Sequence, residues 1–252
     1  MLRSLALFLV LTFSAHAEEV VLGMSQTQVS ITTNFDGSEI FIFGAVKREM
    51  AIPTGNPLQV IVAIRGPSEP ITVRRKEKRF GIWINADAVE VDQAPSFYAV
   101  ATTAPIADVL SATEDLRYKI TIPQAIRSVG APMTVADSQS FTDALIRVRT
   151  ANNLFQLNEG SVELSEETLF KTSIAMPANL TEGAYSTHIY LTRSGKVVSE
   201  YETSIDVRKV GLERWLYTLS RQQPLMYGLL SLAIAIISGW GAAAIFSGLR
   251  RS

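Results

Sequence analysis

The last long stretch of this chain constrains it most. From Pro224 to Leu249 there is no Asp, Glu, Lys, Arg or His, and Arg250-Arg251-Ser252 follows. An uncharged, largely apolar run longer than about 18 residues reads as a membrane-spanning helix, because hydrocarbon tolerates only a backbone that satisfies its own hydrogen bonds. The opposite end reads as a secretory signal over residues 1–17. It has Arg3, an apolar core from Leu5 to Phe13, and Ala15-His16-Ala17 as a small-x-small cleavage site. The two ends together predict a chain exported N-terminus first and held by one C-terminal anchor, 223–249, with 250–252 as a cytoplasmic tail.

Between signal and anchor lie roughly 205 residues, enough for one large domain or two small ones. The chain has 23 Lys+Arg against 24 Asp+Glu, and loss of Arg3 with the signal leaves a formal charge of −2. That balance argues against nucleic acid as a partner, since a dedicated binder is strongly basic. There is no cysteine. An exported domain without disulfides must be stabilised by apolar burial, which this length permits. The combination suits a bacterial periplasmic domain, so the expected location is the inner membrane, single-pass, with the N-terminal domain in the periplasm.

The mature region reads as mainly β. Val20 to Val46 alternate as half-buried strands do, with Val29, Ile31 and Thr33 on one face and Asn34-Phe35-Asp36-Gly37 as a turn. Ser38 to Val46 is apolar on both faces, as expected of a strand inside a sandwich. Leu58 to Ile64 follows, then Ile71-Thr72-Val73 and Gly81-Ile82-Trp83-Ile84-Asn85, read as two strands separated by a basic tip. The middle changes period. Pro105 opens one helix, and Asp137 or Ser138 opens another that places Phe141, Leu145 and Val148 on one side and stops at Asn152-Asn153. Strand patterning returns from Ser161 to Val207, with Arg193-Ser194-Gly195 as a hairpin connection. The expected architecture is one or two immunoglobulin-like β-sandwich domains with short helices: 18–130 as an N-terminal β domain and 131–209 as a sandwich-like domain led by a helix. Residues 210–222 form an amphipathic juxtamembrane helix. Leu212, Trp215, Leu216 and Leu219 share one face, which suits either an outer-leaflet interface or packing on the protein's own domain.

Chemistry is sparse. The mature chain has one histidine, His188, in an alternating strand, where a packing role is the ordinary one. Asp87, Glu90 and Asp92 lack the oxygen-rich loop of a calcium site, and no metal or cofactor is expected. No nucleophile elbow, phosphate loop or dinucleotide fingerprint is present. The strongest charge feature is Arg74, Arg75, Lys76, Lys78 and Arg79, broken only by Glu77. It reads either as a solvated hairpin end that blunts a sheet edge or as a contact for anions. Phe80, Trp83, Phe97 and Tyr98 lie nearby, and aromatics in a β protein belong more often to the core than to a site. In the anchor, Ser231, Ala235, Gly239, Ala243 and Ser247 recur every four residues, a small-residue ridge that lets a second helix approach.

Several strings resemble a family of alphaproteobacterial transmembrane proteins. They are Ser30-Ile31-Thr32 with Phe35-Asp36-Gly37; Val73-Arg74-Arg75-Lys76 with Gly81-Ile82-Trp83-Ile84-Asn85; Pro95-Ser96-Phe97-Tyr98-Ala99-Val100; and Gly183-Ala184-Tyr185 with Ser194-Gly195. The resemblance spans nearly all of the mature chain. It implies the location and topology already read, and neighbours of the sulfite-exporter-type permease kind, but supplies no activity and no catalytic residues. The functional expectation is a membrane-anchored periplasmic accessory or interaction module, associated with a transporter. Its partners would be membrane lipid, a polytopic protein, or a second copy through the span. A binding module for an anionic cell-envelope component is the alternative, and a periplasmic enzyme the third choice.

Overall fold

The computed structural model describes residues 19–31, 36–48, 55–127, 137–210 and 212–249, with the side chains of 212–214 and 244–249 excepted. The expected signal, Thr33, Asn34, Phe35 and the Arg250-Arg251-Ser252 tail lie outside these residues. The strands are β1 (Glu19–Met24), β2 (Gln28–Ile31), β3 (Ser38–Lys47), β4 (Gln59–Arg65), β5 (Ser68–Arg79), β6 (Ile82–Pro95), β7 (Tyr98–Thr102), β8 (Phe155–Asn158), β9 (Glu163–Ser165), β10 (Leu169–Met176), β11 (Gly183–Arg193) and β12 (Lys196–Lys209). The helices are α1 (Ile106–Val109), α2 (Ala112–Tyr118), α3 (Ile122–Ala125), α4 (Gln139–Ala151), α5 (Leu212–Gln222) and α6 (Pro224–Leu249). Mainly β, as expected, the chain forms two compact units. One holds most of the strand residues and α1 to α4; the other holds the two C-terminal helices with the ends of β2 and β12, Ser30, Ile31, Arg208 and Lys209.

In the β unit a four-stranded sheet runs β1-β3-β10-β9, a six-stranded sheet runs β2-β12-β11-β4-β7-β8, and β5 pairs with β6 as a ribbon. The continuous apolar run of β4 is the signature of a strand covered on both faces. Val60, Ile61, Val62, Ala63 and Ile64 are all buried accordingly. One face, with Ile61, Ala63, Tyr98, Val100, Phe155 and Tyr190, meets Val109, Leu110, Ile120, Ala125 and Leu145 of the helical segment and Val91 and Ala94 of β6. On the four-stranded sheet the buried apolar residues include Val20, Ile40, Ile42, Val46, Phe170, Ile174 and Met176. Burying each such side chain contributes about 1.5–3 kcal/mol. Bonds from Val162 N–H to Thr102 O (3.1 Å) and from Gln156 Nε2 to Ala175 O (2.9 Å) tie the two sheets together.

Several expectations are refined by this arrangement. β7 and β8 pair in parallel, and the connection between them carries α1 to α4, because a parallel pair needs a long crossover. The mainly β reading holds, and its immunoglobulin-like detail is not confirmed by these sheets. Nor does the boundary after residue 130 divide them: β3 pairs with β10, and β4 lies between β11 and β7. Helix α4 has Ser138 at its N-terminal boundary and Asn152 at its end, as read, and buries Phe141 and Leu145. Val148, expected beside them, is exposed; seven residues on from Phe141 it keeps the same face, but the burial of that face ends at Leu145 and does not reach the last turn. In β3 the expected two-sided burial fails as well. Ile40 and Ile42 are buried, but Phe41 and Phe43 face outward at 53% and 51% exposure. Among the described residues the four-stranded sheet is covered on one face, and Val21 and Leu169 extend the apolar outer patch.

Candidate functional site

Strand pairing puts the basic residues in a strand, not in a tip. β5 and β6 form an antiparallel ribbon whose turn is Phe80-Gly81, with Arg79 opposite Ile82, Lys78 opposite Trp83 and Lys76 opposite Asn85. Side chains alternate across a strand, so Arg74, Lys76 and Lys78 share one face at intervals of about 7 Å. Ile71 and Val73 share the other face with Arg75, Glu77 and Arg79. Ile71 and Val73 pack against the core, which makes the Arg74-Lys76-Lys78 face the outer one. An irregularity in register between Arg75 and Lys76 separates the seated base of the ribbon from its distal end.

Electrostatics divides the five cations. The Arg75 guanidinium lies 3.5 Å from Asp137 and 4.0 Å from Asp87, donates to Ser140 Oγ at 2.6 Å, and sits 4.5 Å from the Phe141 ring centroid. Hydrogen bonding from Ser140, with the Arg75 charge added, holds the Asp137 carboxyl below its usual range. Arg75 thus pins the ribbon to α4. Arg79 is neutralised by Glu77 at 3.0 Å. Arg74, Lys76 and Lys78 are exposed and have no ion pair among the described residues. Of the predicted anion contacts, these three remain available.

The aromatics divide too. Phe97 and Tyr98 are buried, as core aromatics should be. Tyr98 donates to Ile120 O at 2.8 Å, and burial pushes its hydroxyl up to about 12. Phe80 is fully exposed, Trp83 is 68% exposed, and Ile82, which sequence reasoning passed over, is 64% exposed. The local signal was there to read. A two-residue hairpin turn with both φ positive favours Asn-Gly or Asp-Gly, yet Phe80 stands first, at φ 50, with Gly81 at φ 85. A bulky side chain in that region is strained.

Other polar features serve the scaffold. A cleft of about 810 Å³ is lined by Asp36, Glu39, Asn152, Asn153, Gln156 and Asn179, but Gln156 Nε2 is bound to Asn153 O and Ala175 O, and Asn152 Nδ2 to Val148 O. His188 stacks on Tyr190 at 5.9 Å, with Nδ1 3.2 Å from Glu200 and Nε2 3.7 Å from Glu202. Among the described residues no group of three or more His, Asp and Glu is placed to hold a metal.

The helical unit is a separate surface. α6 is 26 residues long, and its most apolar segment, Pro224–Ala243, has a mean hydropathy of 1.7 with no residue buried. Ser231, Ala235, Gly239 and Ala243 of the ridge are exposed, and nothing lies within 4 Å of where a Gly239 Cβ would stand. The Ser231 hydroxyl bonds back to Tyr227 O at 2.8 Å. The Ser247 side chain lies outside the described residues, as does that of Leu212. On α5, Trp215 is exposed and Leu216 and Leu219 are half-buried. Helical bonds from Gln223 N–H to Leu219 O and from Tyr227 N–H to Gln223 O continue across the junction at Pro224.

A family model described as "Putative transmembrane protein (Alph_Pro_TM)" matches residues 19–248. The chain belongs to this family. The matched residues open with β1 and close one residue before the end of α6, so they include both sheets, the β5–β6 ribbon and the apolar helix. It is a membrane protein with one C-terminal span. No curated protein matches the chain.

Proposed function

We propose that this protein is a periplasmic interaction module held in the bacterial inner membrane by α6, acting by contact with a polytopic protein of the same membrane as an accessory to transport. The observation that supports it most is α6 itself. It is apolar all round and uncovered over its whole described length, and its small-residue ridge leaves open space at Gly239. Small residues let a second backbone approach closely in lipid, where dispersion contacts drive association. α5 and α6 together reach about 57 Å at 1.5 Å per residue, well beyond a hydrocarbon core of about 30 Å. The excess puts Trp215 and Tyr217 at a membrane-water interface, with Leu216 and Leu219 facing lipid. Affinity purification of the full chain from solubilised native membranes should recover a polytopic protein; recovery of this chain alone would overturn the accessory reading. Proteolysis in spheroplasts should reach the β unit, and a protected β unit would reverse the orientation.

A second reading has its own support. Arg74, Lys76 and Lys78 have no ion pair among the described residues and share one outward face, which suits contact with an anionic component of the envelope.

A further inference from the structure

We propose that the distal end of the β5–β6 ribbon is a second membrane contact, in which Phe80, Ile82 and Trp83 enter the interface of an anionic bilayer while Lys78, Lys76 and Arg74 meet lipid phosphates. This rests on the anion-contact reading and names its ligand. The order of side chains is the order a bilayer surface requires. Phe80 occupies the turn, and Ile82 and Trp83 are the next residues back on β6. Lys78 stands opposite Trp83, with Lys76 and Arg74 further back on the same face, at intervals of about 7 Å. Apolar groups lead and cations follow, as acyl boundary and phosphates do. Trp and cationic side chains are the residues that settle at this depth.

Two features argue that the end of the ribbon is shaped for this contact. Its apolar residues Phe80, Ile82 and Trp83 stand exposed, with no other described element packed over them. The turn also carries a bulky residue at φ 50, where Asn or Asp would relieve the backbone. Among the described residues nothing packs on Phe80 to offset that conformation. A bilayer would, and α6 keeps one within covalent reach, which makes even weak contacts effective. The Arg75 contacts with Asp137, Ser140 and Phe141 hold the base of the ribbon.

The test uses the full chain carrying Trp215→Phe and Trp240→Phe, so that Trp83 is the one tryptophan left. It is reconstituted in vesicles of phosphatidylcholine alone, or mixed with phosphatidylglycerol, each with brominated acyl chains. Trp83 emission should shift to the blue and be quenched at least about twofold more in the anionic vesicles, each exposed cation near such a surface adding a comparable increment. High salt, which shortens the Debye length to a few ångström, should remove the difference. Lys76→Gln with Lys78→Gln should do the same, and Phe80→Asn should lower the quenching in a folded chain. Equal quenching in both vesicle types, or none in either, would overturn the proposal. A parallel arm adds soluble polyphosphate to the chain in unbrominated phosphatidylcholine. A salt-sensitive change in Trp83 emission there, without acyl-chain quenching, would retain the anion contact and reject the membrane contact. No response in either arm would reject both.

Discussion

At the scale of single residues, five neighbouring basic side chains that look alike in sequence have three different fates. Arg75 clamps the ribbon to α4, Arg79 is spent on Glu77, and Arg74, Lys76 and Lys78 have no ion pair among the described residues. Phe80 is the residue whose local cost is clearest. Phe80→Asn should raise the stability of the β unit by about 1 kcal/mol by relieving the positive φ, read as a higher denaturation midpoint with an unchanged slope. An unchanged or lower midpoint would show that the ring has a packing role. Tyr98 gives a pH dependence with a definite sign. Burial raises its hydroxyl from 10.0 in the unfolded chain to about 12 in the folded one, so its contribution is whole below pH 10.0 and disappears as pH rises toward 12. That difference corresponds to about 2–3 kcal/mol. Tyr98→Phe should flatten the alkaline fall in stability between those limits; an equally steep fall in the variant would assign it to other groups.

At the scale of elements, the anchor read over 223–249 coincides within a residue with one helix, α6 (Pro224–Leu249). Local composition marks those bounds, Arg221-Gln222-Gln223 and Pro224 on one side and Arg250 on the other, and a change from polar to apolar side chains needs no tertiary partner. α4 was legible at both ends, because Ser138 and Asn152 are local signals. The ribbon was not. Its pairing extends through Arg79 and Ile82, and alternation of charged residues with Glu77 gave no apolar period to mark the strand. The ridge on α6 carries a prediction at this scale. Gly239→Leu or Ala235→Leu should reduce a specific crosslinked complex in native membranes several-fold, while Leu232→Ile should leave it intact. Equal yields from ridge and off-ridge variants would make α6 a plain anchor.

At the scale of the molecule, the residues before and after position 130 share both sheets. A chain ending at residue 130 would lose β10 beside β3, and β11 and β12 beside β4, exposing the edges and faces of what remains. It should fail to fold, seen as loss of near-ultraviolet circular dichroism and rapid proteolysis; a cooperative unfolding transition in that fragment would restore two separate domains. By itself the sequence determined class and attachment: mainly β from period-two alternation, and one span from an uncharged run. Both are properties of consecutive residues and their solvent. Only the tertiary structure decided which strands are neighbours, that Phe41 and Phe43 face outward while Ile40 and Ile42 do not, and that Phe80 and Trp83 lie at a tip while Phe97 and Tyr98 lie in the core. Those outcomes depend on what lies across from a residue, and alternation says that a strand has two faces without saying which of them another layer will cover.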